Sequence, residues 1–563
     1  MKISKKWLLI LPSVVSFVLY FSTLQFDFVW DDTLVLNDSI ASFKDYSIFF
    51  GSGLWKYYRP LIGLFYMLDY SIWGWNPFGY HLTNLLLYIF TVFTVTLLLF
   101  KLLLDEWSAF IGGLCYAVLS THVESVAWIS GRTDIISFLF LSLSLLGFLE
   151  YIEQKRIIAL WLSALFALFS MWGKEVGLAY IFLIPLLSWL KEYKLKFKEF
   201  LIVALPIIVY LLFKINITHL TVGLHNKPGI ISGGRAFIFL VKPTFFGISK
   251  QIIKAIGFYF WRVIWPFNLR IFYHKTLPVI FYYSYAIIYF AFLIISFLKK
   301  EKVMAFALSW FLITLLPSLP LIVVYISVTP VADRYLFIPS FSLALLLGYL
   351  YQKSDKKVAV IVGVIVFLSA HIYSTVKRIP VWKNNSIFWE ITYKQSPNNP
   401  LAVLWHASDY ANKNDCEKAE QIIRKNIENP HIFSYLKASS YSSLANIKLL
   451  KGEFDSTIYY ANKSLKIYPK TQAYFVKSAA FLEKYRHSRE DQWLDSAEVS
   501  IERAISLSPY NMNVRYTAAV IYYERDNTEN ALEELNFIIE NDPYSPHARR
   551  AIFLMNKIKS EKE

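Results

Sequence analysis

The sequence predicts an all-α protein: a multispanning membrane helix bundle over residues 1–380, followed by a helical-repeat solenoid over 381–563. Three observations carry this. Long apolar runs recur through the first two thirds of the chain and stop near Thr375. Polar, charged residues then alternate with apolar ones at helical spacing. Prolines recur at near-regular intervals in that second part.

Composition is consistent with the split. Of 563 residues, 56% are hydrophobic and 17% charged, against roughly 45–50% and 25% in soluble globular chains. The net charge of +16 is unevenly placed: residues 1–375 hold 31 Lys and Arg against 18 Asp and Glu, and residues 376–563 hold 26 against 23. The basic excess therefore punctuates apolar runs, an arrangement that argues against nucleic-acid binding. Cys115 and Cys416 are the only cysteines, so no disulfide framework is expected.

The chain begins "MKISKKWLLILPSVVSFVLYFSTLQF". It has the basic start of a signal peptide but no small-residue cleavage site, and its apolar run is long enough to span. An uncleaved first span is expected at 7–26. Further apolar runs lie at 79–104, 108–120, 135–152, 157–172, 176–190, 200–215, 279–298, 303–325, 335–352 and 357–375, which makes about eleven spans. Lys and Arg are retained on the cytoplasmic side in short loops. Lys2, Lys5, Lys6, Lys155, Arg156, "KEYKLKFK" (191–198), "KKEK" (299–302) and "QKSDKK" (352–357) fall on one side if 216–278 makes no net crossing. Lys250, Lys254, Arg262 and Pro266 interrupt 247–274, so that stretch reads as an interfacial or re-entrant helix. The N-terminus is then cytoplasmic. The loops 27–78, 121–134, 173–175, 216–278 and 326–334, and everything beyond 376, lie outside.

In the second part, Pro469, Pro509 and Pro543 are spaced by 40 and 34 residues. Ala497 and Ala531 each precede their own proline by 12, and Ala445 and Ala519 by 24. Small residues there let two antiparallel helices approach closely, and the proline ends the second one. This is the tetratricopeptide pattern, about four repeats, one lengthened around "KYRHSREDQ" (484–492), with Thr457 and Ser464 in place of alanine in another. Stacked repeats offer a concave surface for a protein or glycan acceptor.

Polar chemistry gathers in the outside loops. "FDFVWDD" ends in Asp31 and Asp32, "YYRPL" carries Arg59, and "FGYHLTN" carries His81. "STHVESVAWISGRTD" carries His122, Glu124, Arg132 and Asp134; "WGKEVG" carries Lys174 and Glu175; "VADRYLFIPS" carries Arg334. Ionisable groups at membrane depth are costly and usually functional. Transfer of a sugar from a lipid phosphate needs a base for the acceptor hydroxyl and cations for the departing phosphate. A carboxylate at the membrane surface serves the first need; Arg, Lys and His serve the second, with Arg132 and Arg334 preferred over His122 and Lys174. No GxxxxGK[ST] or HExxH is present, which argues against an ATP-driven pump and a zinc protease. The residues leave room for a divalent metal without naming its ligands.

These motifs, "FVWDD", "YRPL", "YHLTN", "HVESVAWISGRTD", "GKEVG" and "DRYLFIPS", together with the repeats, resemble the transmembrane and tetratricopeptide repeat-containing O-mannosyltransferases of the GT-C superfamily. The resemblance implies a polyprenyl-phosphate sugar donor, mannose or a similar hexose, and a hydroxyl acceptor on a protein or envelope glycan. It also implies that Asp31 and Asp32 supply the catalytic base, while Arg59, His81, His122, Glu124, Arg132, Asp134, Lys174, Glu175 and Arg334 are donor-site or structural positions. Neighbouring residues cannot easily point the same way, so one aspartate acts and the other orients a loop; Asp32 is narrowly favoured as base. Two other readings remain: a non-enzymatic scaffold recruiting partners through its repeats, and a transporter or flippase. Transporters place ionisable groups nearer the midplane, and a scaffold leaves the clustered charges unexplained.

Overall fold

The structure, a computed structural model, describes residues 5–36, 58–224, 245–273, 278–320, 331–430, 432–541 and 546–561. Much of the expected outside loops 27–78, 216–278 and 326–334, together with Pro543, lies outside the described residues. Every regular element described is a helix. Two units are distinguished, one ending at Phe388 and the other beginning at Trp389.

In the first unit, helix starts follow local chemistry. Proline opens Pro60–Trp73 and Pro77–Leu103, where its missing N–H costs nothing. Asn76 and Asp105 cap the next helices, their side chains accepting from the Phe78 amide (3.2 Å) and the Ser108 amide (2.8 Å). Leu104 and Lys155 end Pro77–Leu103 and Arg132–Gln154 in left-handed conformation, with φ of 57° and 59°.

One crossing positions the polar loops. A Cβ on Gly112 would lie 2.6 Å from the carbonyl oxygen of Ala344, and one on Gly348 would lie 2.5 Å from that of Ser108. Glycine at both points lets Glu106–Val118 and Phe341–Lys353 cross backbone to backbone. The segments leaving those helices at the same end are thereby joined: the Tyr116 hydroxyl donates to the Phe337 carbonyl (3.0 Å), and His122 Nε2 meets Ser340 Oγ at 2.8 Å.

The span count differs from the eleven expected. Among the described residues five helices are long and apolar enough to cross a membrane: Trp7–Gln25, Pro77–Leu103, Ile129–Gln154, Val279–Leu298 and Lys357–Trp382. A sixth is counted if Glu106–Val118 and Ser120–Ala127, bent by 47°, form one span. The apolar runs at 157–172, 176–190 and 303–325 become the shorter helices Ile157–Gly173, Glu175–Leu190 and Lys302–Ser318. Hydropathy counts apolar residues; it does not see that the helix in the run 335–352, Phe341–Lys353, has only 13 residues.

In the second unit, four antiparallel pairs follow in order among the described residues. They are Pro400–Asn412 with Cys416–Glu428, Ser434–Leu450 with Phe454–Ile467, Thr471–Ser488 with Asp491–Leu507, and Met512–Glu524 with Thr528–Asn541; Pro546–Ser560 closes the series. This is the tetratricopeptide arrangement. Ala445, Ala497, Ala504, Ala519 and Ala531 are fully buried where helices meet. Thr457 and Ser464 occupy equivalent buried points and satisfy their hydroxyls locally: Thr457 donates to the Glu453 carbonyl (3.0 Å) and Ser464 to that of Ala438 (2.8 Å). Pro469 and Pro509 lie two residues beyond their helices. The extra residues of "KYRHSREDQ" lengthen Thr471–Ser488, which ends at Arg489 with φ 58°.

Candidate active site

The loop after the first span runs extended through Phe26 and turns at Trp30, whose φ is 62°. Its course fixes two different fates for the adjacent aspartates. Asp32 is buried and saturated: Oδ2 accepts from the Val29 amide (2.9 Å), and Oδ1 accepts from the amide (2.9 Å) and hydroxyl (2.6 Å) of Ser130. Asp31 Oδ1 is buried and accepts no hydrogen bond from the described residues. Burial pushes the Asp31 carboxyl up to about 6, its own amide and the charge of Arg334 pulling the other way. Burial likewise pushes Asp32 up to about 7, against the hydrogen bonds from Ser130 and Val29.

Three ion pairs lie nearby, built from motifs far apart in the chain. Arg334 pairs with the buried Glu124 and lies over the rings of Tyr335 (5.1 Å) and Trp128 (5.6 Å). Lys174 reaches Asp134 at 2.6 Å and sits 5.6 Å from the Tyr335 ring centre. Arg59 reaches Glu175 at 2.7 Å. Lys174 also feels Arg59 and Arg334; burial and these two cations hold its amine below the usual lysine range against the pull of Asp134. Asp31, Arg334, Lys174 and Arg59 thus belong to one electrostatic cluster containing three cations.

Other expected residues are not brought to this cluster. Arg132 is fully enclosed and each guanidinium nitrogen is engaged: Nε with Asn84 Oδ1 (2.8 Å), one terminal nitrogen with Asp69 (2.5 Å) and the other with the Tyr80 carbonyl (3.0 Å). Its plane lies 4.6 Å from the Tyr66 ring. His122 is enclosed between Tyr116 and Phe337, held by the Tyr88 hydroxyl (3.1 Å) and Ser340 (2.8 Å). His81 packs edge-on to Phe26, its Nε2 3.5 Å from the Asp27 carbonyl. Among the described residues, no group of three or more His, Cys, Asp or Glu is arranged to hold a metal ion.

Four participants escaped the sequence reading. Trp128, Ser130 and Tyr335 sat inside recognised motifs without being singled out. Asn385 has no local signature and meets the loop across 355 residues.

Part of the chain is similar to named proteins. Human protein O-mannosyl-transferase TMTC2 is 33% identical over 215 residues, covering 34% of this chain and 25% of that protein. Drosophila melanogaster protein O-mannosyl-transferase Tmtc1 is 28% identical over 183 residues, 30% of this chain and 21% of that one. Over the matched third, the chain is similar to these protein O-mannosyl-transferases. The chain spans about a quarter of the length of these relatives. No family model matches it. A crystal structure of a Thermus thermophilus TPR protein overlaps 34% of this chain and 94% of its own, at 15% identity and a TM-score of 0.25, too slight an overlap to bear on the fold.

Proposed function

We propose that the protein is a membrane glycosyltransferase that moves a sugar, mannose or a similar hexose, from a polyprenyl-phosphate donor to a hydroxyl of a protein or envelope acceptor. The observation that carries this reading is the Asp31 carboxylate: an oxygen buried without a hydrogen-bond partner among the described residues, in the field of Arg334, and next to an aspartate that is fully engaged. The names of the relatives favour mannose and a protein acceptor.

Asp31 takes the proton of the acceptor hydroxyl as its oxygen bonds to C1 of the sugar. The bond from C1 to the phosphate oxygen breaks, and the lipid phosphate leaves with both electrons. Arg334 and Lys174 are the preferred groups for balancing its charge, with Arg59 beside them. Both preferred cations already hold a carboxylate, which keeps them oriented; a phosphate competes with Glu124 and Asp134 for them. Asp32 orients the loop. Arg132, His122 and His81 brace it from behind. This assigns the base to Asp31 rather than Asp32, and the phosphate role to Arg334 and Lys174 rather than Arg132.

With the Lys- and Arg-rich loops cytoplasmic, this cluster would lie on the outer face, and a reporter fused after Glu563 is expected to be active only outside the cytoplasm. The deciding experiment incubates purified protein with polyprenyl-phosphate mannose and envelope proteins, and reads transfer by mass spectrometry. Added hexose on an acceptor, absent in Asp31→Asn, is the expected result. No transfer from any polyprenyl-phosphate sugar would leave the scaffold reading standing.

A further inference from the structure

We propose that Asn385 and Trp30 form a positioning clamp that sets the direction of the Asp31 carboxylate. The inference rests on the reading of Asp31 as the base.

Trp30 is the residue before the aspartates, and its φ of 62° places a bulky side chain in left-handed backbone. That conformation is rare for such a residue and persists only where the surroundings over-determine it. Here they do so three ways. The Trp30 amide donates to Asn385 Oδ1 at 2.7 Å. The indole stacks on Trp128 (5.1 Å, 19°) and on Phe388 (5.8 Å, 28°). Trp382 completes the group, stacking on Trp128 (5.8 Å) and meeting Phe388 at 4.9 Å. Three residues earlier, the Asp27 amide donates to the Lys383 carbonyl at 2.9 Å. The short stretch Lys383–Phe388 therefore grips the loop at two backbone amides and one ring.

The reversal at Trp30 is what lets neighbouring aspartates part company. Asp32 turns onto Val29 and Ser130, and Asp31 is left within the field of Arg334. In ordinary extended or helical backbone at Trp30, the next residue would leave on a different heading and the unpaired oxygen would lose its place. A stack of rings serving packing alone accounts for burial. It does not account for strained backbone with its own acceptor supplied by an exposed asparagine. Asn385 touches neither donor nor acceptor in this scheme; it is a positioning residue.

Full-length protein in detergent is compared as wild type, Asn385→Ala and Asn385→Asp. Hydrogen exchange is followed in the peptide containing the Trp30 amide, and transfer kinetics are measured on the same preparations. Asn385 is exposed, so its truncation opens no core. In Asn385→Ala, exchange at Trp30 is expected to rise about tenfold or more, and kcat to fall about 10–100-fold with the donor KM nearly unchanged, as misplacement of a reacting group does. Asn385→Asp keeps an acceptor oxygen and is expected to recover both. Unchanged exchange in Asn385→Ala overturns the clamp. Raised exchange with wild-type kcat overturns its role in positioning, as does lost activity in Asn385→Asp with exchange still protected. A wild type that transfers no sugar refutes the proposed reaction, while the exchange measurement still reports on the clamp.

Discussion

Glu124 accepts from Arg334 twice, once from the guanidinium and once from the backbone amide (3.4 Å), across 210 residues of chain. The amide bond ties the loop to Glu124 whatever the side chain at 334. The guanidinium bond holds a cation in place beside Asp31.

Arg334→Lys therefore separates the two functions. The loop stays anchored through its amide, while the planar fork that suits a phosphate is lost. Transfer is expected to drop by about 10²-fold, the scale for removing one donor to developing charge, in protein of normal thermal stability. Wild-type rate and donor affinity in the lysine variant would make the arginine structural.

The two aspartates are distinguished by parallel Asn variants. Asp31→Asn is expected to lower the transfer rate by about 10²–10⁴-fold, the usual loss of a positioned base, with donor binding retained. Asp32→Asn puts an amide nitrogen among three hydrogen-bond donors, so its first effect is on loop stability, read as a lower melting temperature. Equal activity in Asp31→Asn and wild type would refute the assignment.

The pH profile follows from burial of Asp31. A base acts only when ionised, and burial lifts this carboxyl to about 6. Activity, read as kcat/KM, is expected to rise with pH through about 6 and level off above it, with the limb absent in Asp31→Asn. A profile flat from pH 5 to 7 counts against this.

Arg132 makes the contrasting case. Its pairing with Asp69 is dry, with side-chain exposures of 0% and 2%. Removing one partner of a buried pair costs roughly 3–5 kcal/mol, so Asp69→Asn and Arg132→Met are expected to lower the melting temperature sharply. Donor affinity of the protein that still folds should be normal. Weak donor binding at wild-type stability would return Arg132 to the phosphate site.

For the repeats, a chain ending after Trp389 is expected to keep donor binding and lose transfer to large protein acceptors, since helical-repeat grooves hold extended peptides. Donor binding lost in step with transfer would refute that division.

The sequence carried the helical character of both parts and the residues of the charged cluster. Charges at the ends of apolar runs are visible without a structure, and Arg59, Glu124, Asp134, Lys174, Glu175 and Arg334 all come from such places. Pairing was not visible. Whether an arginine is spent or available depends on a partner such as Asp69, 63 residues from Arg132. The choice between Asp31 and Asp32 depends on one backbone angle at Trp30 and on Ser130, 98 residues away. Among the described residues, eleven apolar runs became five or six candidate spans because apolarity does not report where a helix bends or stops.

The grip of Lys383–Phe388 on the loop also decides where this chain can be re-engineered. Hydropathy changes near residue 375, and a chimera built by that rule, grafting a foreign solenoid at the end of the last apolar run, would discard Trp382, Asn385 and Phe388 together. Such a graft would arrive with its aspartates unaimed and would look like a failure of the new solenoid. A seam placed after Phe388 keeps the native tether, so repeats of other lengths or specificities become interchangeable cargo on an intact membrane unit.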